Sequence, residues 1–451
     1  MRLTVPEPKI DIYNDGFAKH DKLDRVSQGR QLSELVERMS EPMVIAVDGA
    51  WGSGKSHFLK CWVGEHLKGE HNTEVVYFDA FEHDFLDDPL IALTGVIGER
   101  LAGDETASQS ALQGLKRAAP ALGRGLLRMG VSVATAGVVT RADDLVDAAA
   151  GSLEQGAQDA IDSFWKKEDG KRAAMKAFRE ALVKLIEPDD GAKPTRRLIV
   201  VVDELDRCRP DYALSLLEIV KHFFNVDGVH FVLGCNMEAL AGSVRARYGA
   251  EYDARLYLQK FISITFSLPK RERYSEDGPY SLRYFDSLLE QTRVTHELVP
   301  YVQALLRKIP LPIQPTLRNI ESLVRILAVC PAVDRDHSGQ CRPSVHISLA
   351  TIAILKCTRP ELLGKVLSFA STADEFHTYF GASSRDAASG DVHGDWHFVY
   401  WLPLLMEKPD IELPEYIVSC YNSCGLGKGN EFLRRRWFVS LHERYFGVLS
   451  I

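Results

Sequence analysis

Four continuous apolar runs along the first part of the chain have the length of a β-strand. Each run predicts a strand covered on both faces, because such strands lack the alternation of half-exposed ones. Helical patterns separate the runs, so we expect them to complete one parallel sheet flanked by helices. The runs are MVIAVD from Met43, VVYFD from Val75, LIVVVD from Leu198 and GVHFVLGCN from Gly228.

Helices are predicted where apolar residues recur three or four positions apart. One begins at Pro89, because proline is well tolerated in the first turn of a helix. Other helical segments near the strands are GRQLSELVERM, HFLKCWVGEHL and SLLEIVKHFF. Beyond Pro269 the strand patterns fade, and helical spacing continues in YSLRYFDSLLEQT, YVQALLRKI, RNIESLVRILAV and SLATIAILK.

These changes of pattern divide the chain. Residues 1–40 form a lead-in, and residues 41–103 and 191–270 form two halves of an α/β core. Between the halves, residues 104–190 are rich in alanine, glycine, lysine and glutamate, and they contain no clear strand. We therefore predict a helical insertion there, followed by a helical C-terminal domain over residues 271–451.

Composition and charge narrow the class of protein. The 451-residue chain has 45% hydrophobic and 26% charged residues, which is close to the globular average and excludes wholesale disorder. Its net charge of −8 gives no overall cationic field for a nucleic-acid backbone. Nucleic-acid binding would have to be local, and a nucleic-acid-stimulated motor is disfavoured.

The expected location is the cytoplasm. The eight cysteines are scattered, as in a protein of a reducing compartment. The N-terminal MRLTVPEPKIDIYND lacks the apolar core of a secretion signal. The most membrane-like stretch, from Leu126 to Val139, is too short to span a bilayer and includes Arg128, so we expect no spanning helix.

A glycine-rich loop follows the first predicted strand and precedes a predicted helix. Residues 49–56, GAWGSGKS, satisfy the phosphate-loop pattern G-x-x-x-x-G-K-[ST]. In such a loop backbone N–H groups converge on phosphates, the lysine reaches the β- and γ-phosphates, and the serine hydroxyl can bind Mg²⁺. We expect the nucleotide to contact Gly49, Ala50, Trp51, Gly52, Ser53, Gly54, Lys55, Ser56 and His57.

An acidic pair ends the third predicted strand. Asp203 would hold Mg²⁺, and Glu204 would polarise the attacking water. A carboxylate at the second position favours an NTP hydrolase over a passive binder. The chain has no N-K-x-D-like sequence that reads a guanine base, so ATP is the expected nucleotide.

Two further roles stay open at this point. Asn236 ends the fourth strand, where its amide can hold the lytic water or cap the next helix. A cation must also stabilise transition-state charge, and the sequence does not rank the candidates. These are Arg207, Arg209, Arg255, Lys260 and Arg318.

With these residues in hand, the chain resembles the KAP family of P-loop NTPases, in the STAND-like branch of the additional-strand P-loop proteins. The resemblance runs from about residue 10 to residue 330 and includes the tryptophan inside the phosphate loop. It implies that Arg318 is the nucleotide-facing arginine. The matching segments are Gly49–Ser56, Phe78–Glu82, Asp88–Leu90, Asp203–Cys208, Tyr257–Phe261 and Pro315–Ile320.

The chain departs from the family pattern at two places. Asn236 stands where many members have an aspartate, which suits a water-orienting amide. Residues 104–190 stand where many members carry a transmembrane hairpin, which implies a soluble member. The resemblance implies a nucleotide-driven switch or assembly ATPase, often bacterial and found in phage-defence or mobile-element settings.

Two classes of function therefore compete. The first is a Mg²⁺-dependent ATPase with protein partners, in which an arginine supplied by a neighbouring subunit would couple turnover to oligomerisation. The alternative is a nucleotide-stabilised scaffold with negligible turnover that presents its helical surfaces to partner proteins.

Overall fold

The structure is a computed structural model, and the strands among its described residues form one sheet. It describes residues 9–21, 23–69, 71–86, 88–102, 109–134, 172–186, 196–268, 278–333, 343–368, 370–383, 399–400, 415 and 431–447. The strands of the described part are β1 (Met43–Asp48), β2 (Thr73–Asp79), β3 (Arg197–Asp203), β4 (Val229–Cys235) and β5 (Ile264–Ser267).

Helices surround the sheet and continue toward the C-terminus. Up to residue 268 they are α1 (Phe17–His20), α2 (Val26–Arg38), α3 (Lys55–Leu67), α4 (Pro89–Leu101), α5 (Gln109–Ala134), α6 (172–186), α7 (Pro210–Phe223), α8 (Met237–Tyr248) and α9 (Ala254–Leu258). Beyond residue 268 they are α10 (Tyr280–Thr292), α11 (Val299–Lys308), α12 (Leu317–Val329), α13 (Pro343–Thr358), α14 (Pro360–Leu367), α15 (Ala373–Phe380) and α16 (Glu431–Phe446).

The sheet is parallel throughout, in the order β2-β3-β4-β1-β5. Strand β4 therefore lies between the strand before the phosphate loop and the strand that ends in the acidic pair. The α/β fold class predicted from the sequence is confirmed. The expectation that four strands complete the sheet is wrong, because the short strand Ile264–Ser267 pairs with β1 at the edge. Its residues are mostly exposed, so it lacks the apolar run that marks the buried strands.

Each face of the sheet carries its own helical layer. On one face Phe58 and Trp62 of α3 are completely buried against strand residues such as Val201. On the other face, helices α4 and α7 pack over Phe78 and Phe231. This coverage on both sides explains the continuous apolar runs of the inner strands.

The chain divides into two compact units. One contains Lys9–Ala50 and Gly54–Leu268, and the other contains Trp51–Ser53 with the chain from Pro269 onward. In the second unit α13 packs against α11, α12, α14 and α16. Its residues from Ile347 to Leu355 are nearly all buried, as expected for a helix surrounded by others. The domain boundaries predicted from the sequence stay predictions.

The segment predicted as a helical insertion is described in part. Helix α5 and residues 172–186 of α6 are helical, and Phe178 of α6 packs edge-on against Phe223 and Phe224. Among the described helices, none combines the length and the apolar character needed to cross a bilayer. The stretch from Leu126 to Val139 extends beyond the described residues.

Candidate functional site

The phosphate loop connects β1 to α3 through two left-handed glycines. Gly52 has φ 76° and Gly54 has φ 80°, which residues with a side chain rarely adopt. Helix α3 begins directly after Gly54, at Lys55. The backbone N–H groups in the first turn of this helix point toward its N-terminal end, which is the arrangement of an anion-binding helix N-terminus.

The lysine of the loop is buried and turned toward the loop itself. Its Nζ donates to the carbonyl of Gly49 at 2.6 Å and to that of Ala50 at 3.3 Å. In the same helical turn, His57 Nδ1 lies 3.8 Å from the buried Cys61 sulfur. Trp51 is 52% exposed at the tip of the loop.

Asp203 is almost completely buried at the end of β3. The hydroxyl of Tyr77 donates to its Oδ2 at 2.6 Å, and the N–H of Glu204 donates to its Oδ1 at 2.9 Å. Burial raises the pKa of Asp203, although hydrogen bonds from Tyr77 and Ser56 oppose that rise. Burial also raises the pKa of Tyr77, so its hydroxyl keeps the proton that it donates.

Glu204 links the two motifs of the site. It has a left-handed backbone with φ 59°, an uncommon conformation for a glutamate. Its Oε1 accepts from the Ser56 hydroxyl at 3.3 Å, and its Oε2 pairs with Arg207 Nη1 at 2.6 Å. Burial raises the pKa of Glu204, Arg207 opposes that rise, and the Asp203 carboxylate adds to it.

A glycine of the intervening strand makes room for Asp203. Gly234 of β4 pairs with Asp203 of β3 in the sheet. A Cβ at Gly234 would lie 2.5 Å from Asp203 Oδ1 and 2.4 Å from Leu59. Gly234 and Tyr77 were not predicted from the sequence, because neither belongs to a recognised motif. The signal that could have indicated these two residues was their position near the ends of apolar strands.

Asn236 caps the helix that follows β4. Its Oδ1 accepts from the N–H groups of Glu238 at 3.0 Å and Ala239 at 3.3 Å. Because β3 and β4 are adjacent and parallel, Asn236 lies at the same end of the strands as Asp203. Of its two possible roles, the structure shows the helix cap, and a role toward water stays a prediction.

The candidate cations have different partners. Arg207 contacts the site directly through Glu204. Arg209 binds Asp84, with its Nε 3.0 Å from Oδ1 and its backbone N–H 3.0 Å from Oδ2. Arg255 pairs with Glu238 at 3.1 Å, and Lys260 Nζ lies 5.3 Å from the centre of the Tyr257 ring.

Arg318 lies in the first turn of α12, in the unit that also includes the loop tip. Within that unit the N–H of Leu317 donates to the carbonyl of Gly52 at 3.0 Å. A Cβ at Gly52 would lie 3.4 Å from the Arg318 Cβ and 3.1 Å from the Thr316 hydroxyl. The nucleotide-facing role of Arg318 stays a prediction.

The residues present fit a nucleotide with Mg²⁺. The loop gives a glycine cradle ahead of a helix N-terminus, which suits phosphate. The Ser56 hydroxyl and the carboxylates of Asp203 and Glu204 are the hard oxygen donors that Mg²⁺ prefers. The hydrogen bond from Ser56 to Glu204 shows that these donors meet at one place.

Comparison with known families gives this geometry its context. The model of the KAP family P-loop domain matches residues 27–333, which is more than half of the chain. The chain belongs to the KAP family of P-loop NTPases. The resemblance drawn from the loop tryptophan and the acidic pair is thereby confirmed. KAP membership makes the protein a nucleotide-binding P-loop NTPase.

Comparisons with solved structures and with curated proteins do not change the KAP assignment. The chain is similar to the ORC2 protein of Aeropyrum pernix, whose structure was solved as ADPNP-ADP complexes, with 11% identity and a TM-score of 0.32. That similarity covers 80% of this chain and 85% of the other, and at this TM-score it carries no functional conclusion. No curated protein matches the chain.

Proposed function

We propose that this KAP-family protein is a Mg²⁺-dependent ATPase that works as a nucleotide-driven switch or assembly factor. The observation that carries the proposal is the 3.3 Å contact between the Ser56 hydroxyl and Glu204. It joins the phosphate loop to the acidic end of β3 across the intervening strand. A phosphate-binding loop, a metal-binding carboxylate and a water-activating carboxylate then share one site.

Each residue of the site has a defined task in this proposal. The loop N–H groups and Lys55 bind the phosphates, once the Lys55 ammonium exchanges its loop carbonyls for phosphate oxygens. Ser56 and Asp203 hold Mg²⁺, which when bound neutralises charge on the β- and γ-phosphates. Glu204 orients the attacking water and accepts its proton, and its raised pKa favours that acceptance. We keep Arg318 as the arginine that completes the site, on the strength of the family pattern.

The biological setting that we propose is a bacterial anti-phage defence or mobile-element system in the cytoplasm. The family pattern supports this setting, together with protein partners that act as effectors or companion subunits. An arginine from a second copy of the chain would link turnover to assembly.

One observation favours the alternative of a nucleotide-stabilised scaffold with negligible turnover. Arg207 holds one oxygen of Glu204 at 2.6 Å, and Ser56 donates to the other. Both partners oppose the rise in the pKa of Glu204 and hold its carboxylate in one orientation, so a glutamate that kept them would be a weaker base toward water. The scaffold would bind ATP and present its helical surfaces to partner proteins.

Steady-state ATP hydrolysis separates the two functions. Wild-type protein is compared with Lys55→Ala and Glu204→Gln, alone and with candidate partner proteins. We expect turnover to fall at least about 100-fold in both variants, because one loses the phosphate cation and the other the water-activating carboxylate. Glu204→Gln should still bind ATP, whereas Lys55→Ala should bind it weakly.

The control is Arg38→Ala, an exposed position on α2. It should leave turnover within about twofold of wild type, because Arg38 lies outside the phosphate loop and contacts no residue of the site. Tight ATP binding by the wild type with no turnover under any condition would establish the scaffold instead.

A further inference from the structure

The structure brings a tyrosine of β2 onto the carboxylate at the end of β3. In the parallel register Tyr77 pairs with Val201, and Asp79 pairs with Asp203. Side chains two positions apart along a strand point to the same face, so Tyr77 and Asp203 share a face. The long phenol side chain reaches diagonally to Asp203, and its hydroxyl lies 2.6 Å from Oδ2.

Both oxygens of the Asp203 carboxylate thereby have a donor from the protein. The Tyr77 hydroxyl binds Oδ2, and the backbone N–H of Glu204 binds Oδ1 at 2.9 Å. On the side of β4, the missing side chain of Gly234 leaves room for the same carboxylate. These contacts fix the plane of the carboxylate and leave its remaining lone pairs for other partners.

The ring of Tyr77 is itself held in place. Tyr77 is 8% exposed and belongs to the apolar cluster between the sheet and α3. Its backbone N–H donates to the hydroxyl of Tyr13 at 3.2 Å, and Lys60 Nζ lies 5.8 Å from its ring centre. Such a ring presents its hydroxyl at a constant position relative to β3.

We infer that Tyr77 is a positioning residue for the Mg²⁺ site, acting through the carboxylate of Asp203. The inference rests on the proposed function, because it assigns Asp203 to the metal. Partners that orient metal-binding carboxylates are an established part of metal sites, and their loss typically weakens metal affinity 10- to 100-fold. A purely structural tyrosine would instead only satisfy the buried hydroxyl that it carries into the core.

The test compares wild type with Tyr77→Phe, which keeps the ring and removes the hydroxyl. The matched control is Tyr284→Phe, which removes a similar hydrogen bond to Glu321, of 2.9 Å, in the C-terminal unit. Binding of a fluorescent ATP analogue is measured in EDTA and then over a Mg²⁺ titration. The midpoint of thermal unfolding is followed over the same titration.

In EDTA all three proteins should bind the analogue equally. In the titration Tyr77→Phe should need roughly ten times more Mg²⁺ than wild type to reach half of its response, by fluorescence and by thermal unfolding. Tyr284→Phe should follow the wild type. A Tyr77→Phe titration that superimposes on a Mg²⁺-responsive wild type would overturn the inference. A wild type that binds no analogue would overturn the proposed function and this inference with it.

Gly234→Ala keeps the tyrosine and perturbs the same carboxylate from the other side. Its new Cβ would crowd Asp203 Oδ1, so the Mg²⁺ midpoint should again rise. Should Tyr77→Phe fail to fold, this variant decides whether carboxylate orientation sets the Mg²⁺ requirement. A folded Gly234→Ala protein with the wild-type Mg²⁺ midpoint would count against the inference.

Discussion

The carboxylates at the two ends of the parallel strands have different neighbours. Where β2 and β3 begin, Glu37 accepts from Arg197 at 2.9 Å and from Thr73 at 2.8 Å, and His66 lies 3.3 Å away. At the ends of the strands, the Asp203 carboxylate lies close enough to Glu204 to contribute to the raised pKa of Glu204. Where the strands begin, one carboxylate has several partners, whereas at their ends two carboxylates are adjacent and Arg207 pairs with Glu204.

This difference in neighbours distinguishes Glu37, which contributes to stability, from Asp203 and Glu204, for which we propose a function. Removing the partner of a paired, partly buried carboxylate destabilises the folded state, because the remaining charge has lost both water and its partner. Neighbouring carboxylates destabilise the folded protein slightly, and they attract a cation. We therefore expect substitutions at the two ends to have different consequences.

The largest effect is expected where the strands begin, where the unfolding free energy should fall in acid. Burial lowers the pKa of His66 and of His230 to about 4, with Arg197 contributing at both. In the unfolded chain a histidine has its ordinary pKa of about 6.5. Between about pH 6.5 and pH 4 the unfolded chain therefore binds protons that the folded chain does not, so the unfolding free energy falls as pH falls. From pH 7 to pH 5 each histidine should remove about 2 kcal/mol of unfolding free energy.

Urea denaturation at the two pH values measures this loss. His230→Leu removes one of the two titrating rings, and so should reduce the loss by about 2 kcal/mol relative to wild type. Because all other titrating groups are common to both proteins, the difference reports His230 alone. Equal losses in the two proteins would show that His230 is protonated in the folded state.

A smaller effect is expected from Arg197→Ala. Arg197 donates to a side-chain oxygen and to the backbone carbonyl of Glu37, each at 2.9 Å. Its loss leaves the partly buried Glu37 without a cation and should lower the unfolding free energy by about 2 kcal/mol, measured with urea. Nucleotide binding should not change, because Arg197 lies at the opposite end of the strands from the phosphate loop.

The control for this substitution is Arg38→Ala. Arg38 pairs with Glu34 at 3.4 Å, and both side chains are more than half exposed. An exposed pair of this kind contributes little, so the change should stay below about 0.5 kcal/mol. Equal effects of the two variants would contradict the distinction between buried and exposed pairs.

The smallest effect, and the one of opposite sign, is expected from Glu204→Gln. A neutral glutamine costs less free energy to bury than a charged glutamate, and Asp203 does not repel it. The substitution also removes the ion pair with Arg207. The unfolding free energy should rise by less than about 1 kcal/mol, because solvent screens this partly exposed group. Urea denaturation of nucleotide-free protein measures it, with Glu82→Gln at an exposed position as the control. A marked loss of stability would mean that the Arg207 pair outweighs the repulsion.

Pattern alone predicted the inner strands well, because each is covered on both faces and must be apolar throughout. The strand Met43–Asp48 matches the predicted run MVIAVD, and α4 begins at Pro89 as predicted. Strand β5 was missed, since four mostly exposed residues have no such requirement. Edge strands depend on the strand that they pair with more than on their own composition.

The candidate site was predicted as far as local motifs reach. Lys55 and Ser56 follow from the loop pattern, and Asp203 and Glu204 from acids at the end of an apolar run. The contact of Tyr77 with Asp203 joins residues 126 positions apart, and neither flanking sequence indicates it. Only the pairing of β2 with β3 brings that hydroxyl to the carboxylate.

The sequence by itself determined the family, the α/β class and the phosphate-loop motif, because these depend on residue types at short, fixed spacings. The tertiary structure alone decided that β4 separates the loop from the acidic pair, that Arg207 holds Glu204, and that Asn236 caps a helix. It also decided which carboxylates are paired. The physical reason is that strand order and burial arise from packing between distant segments, and the partners of a charge depend on both.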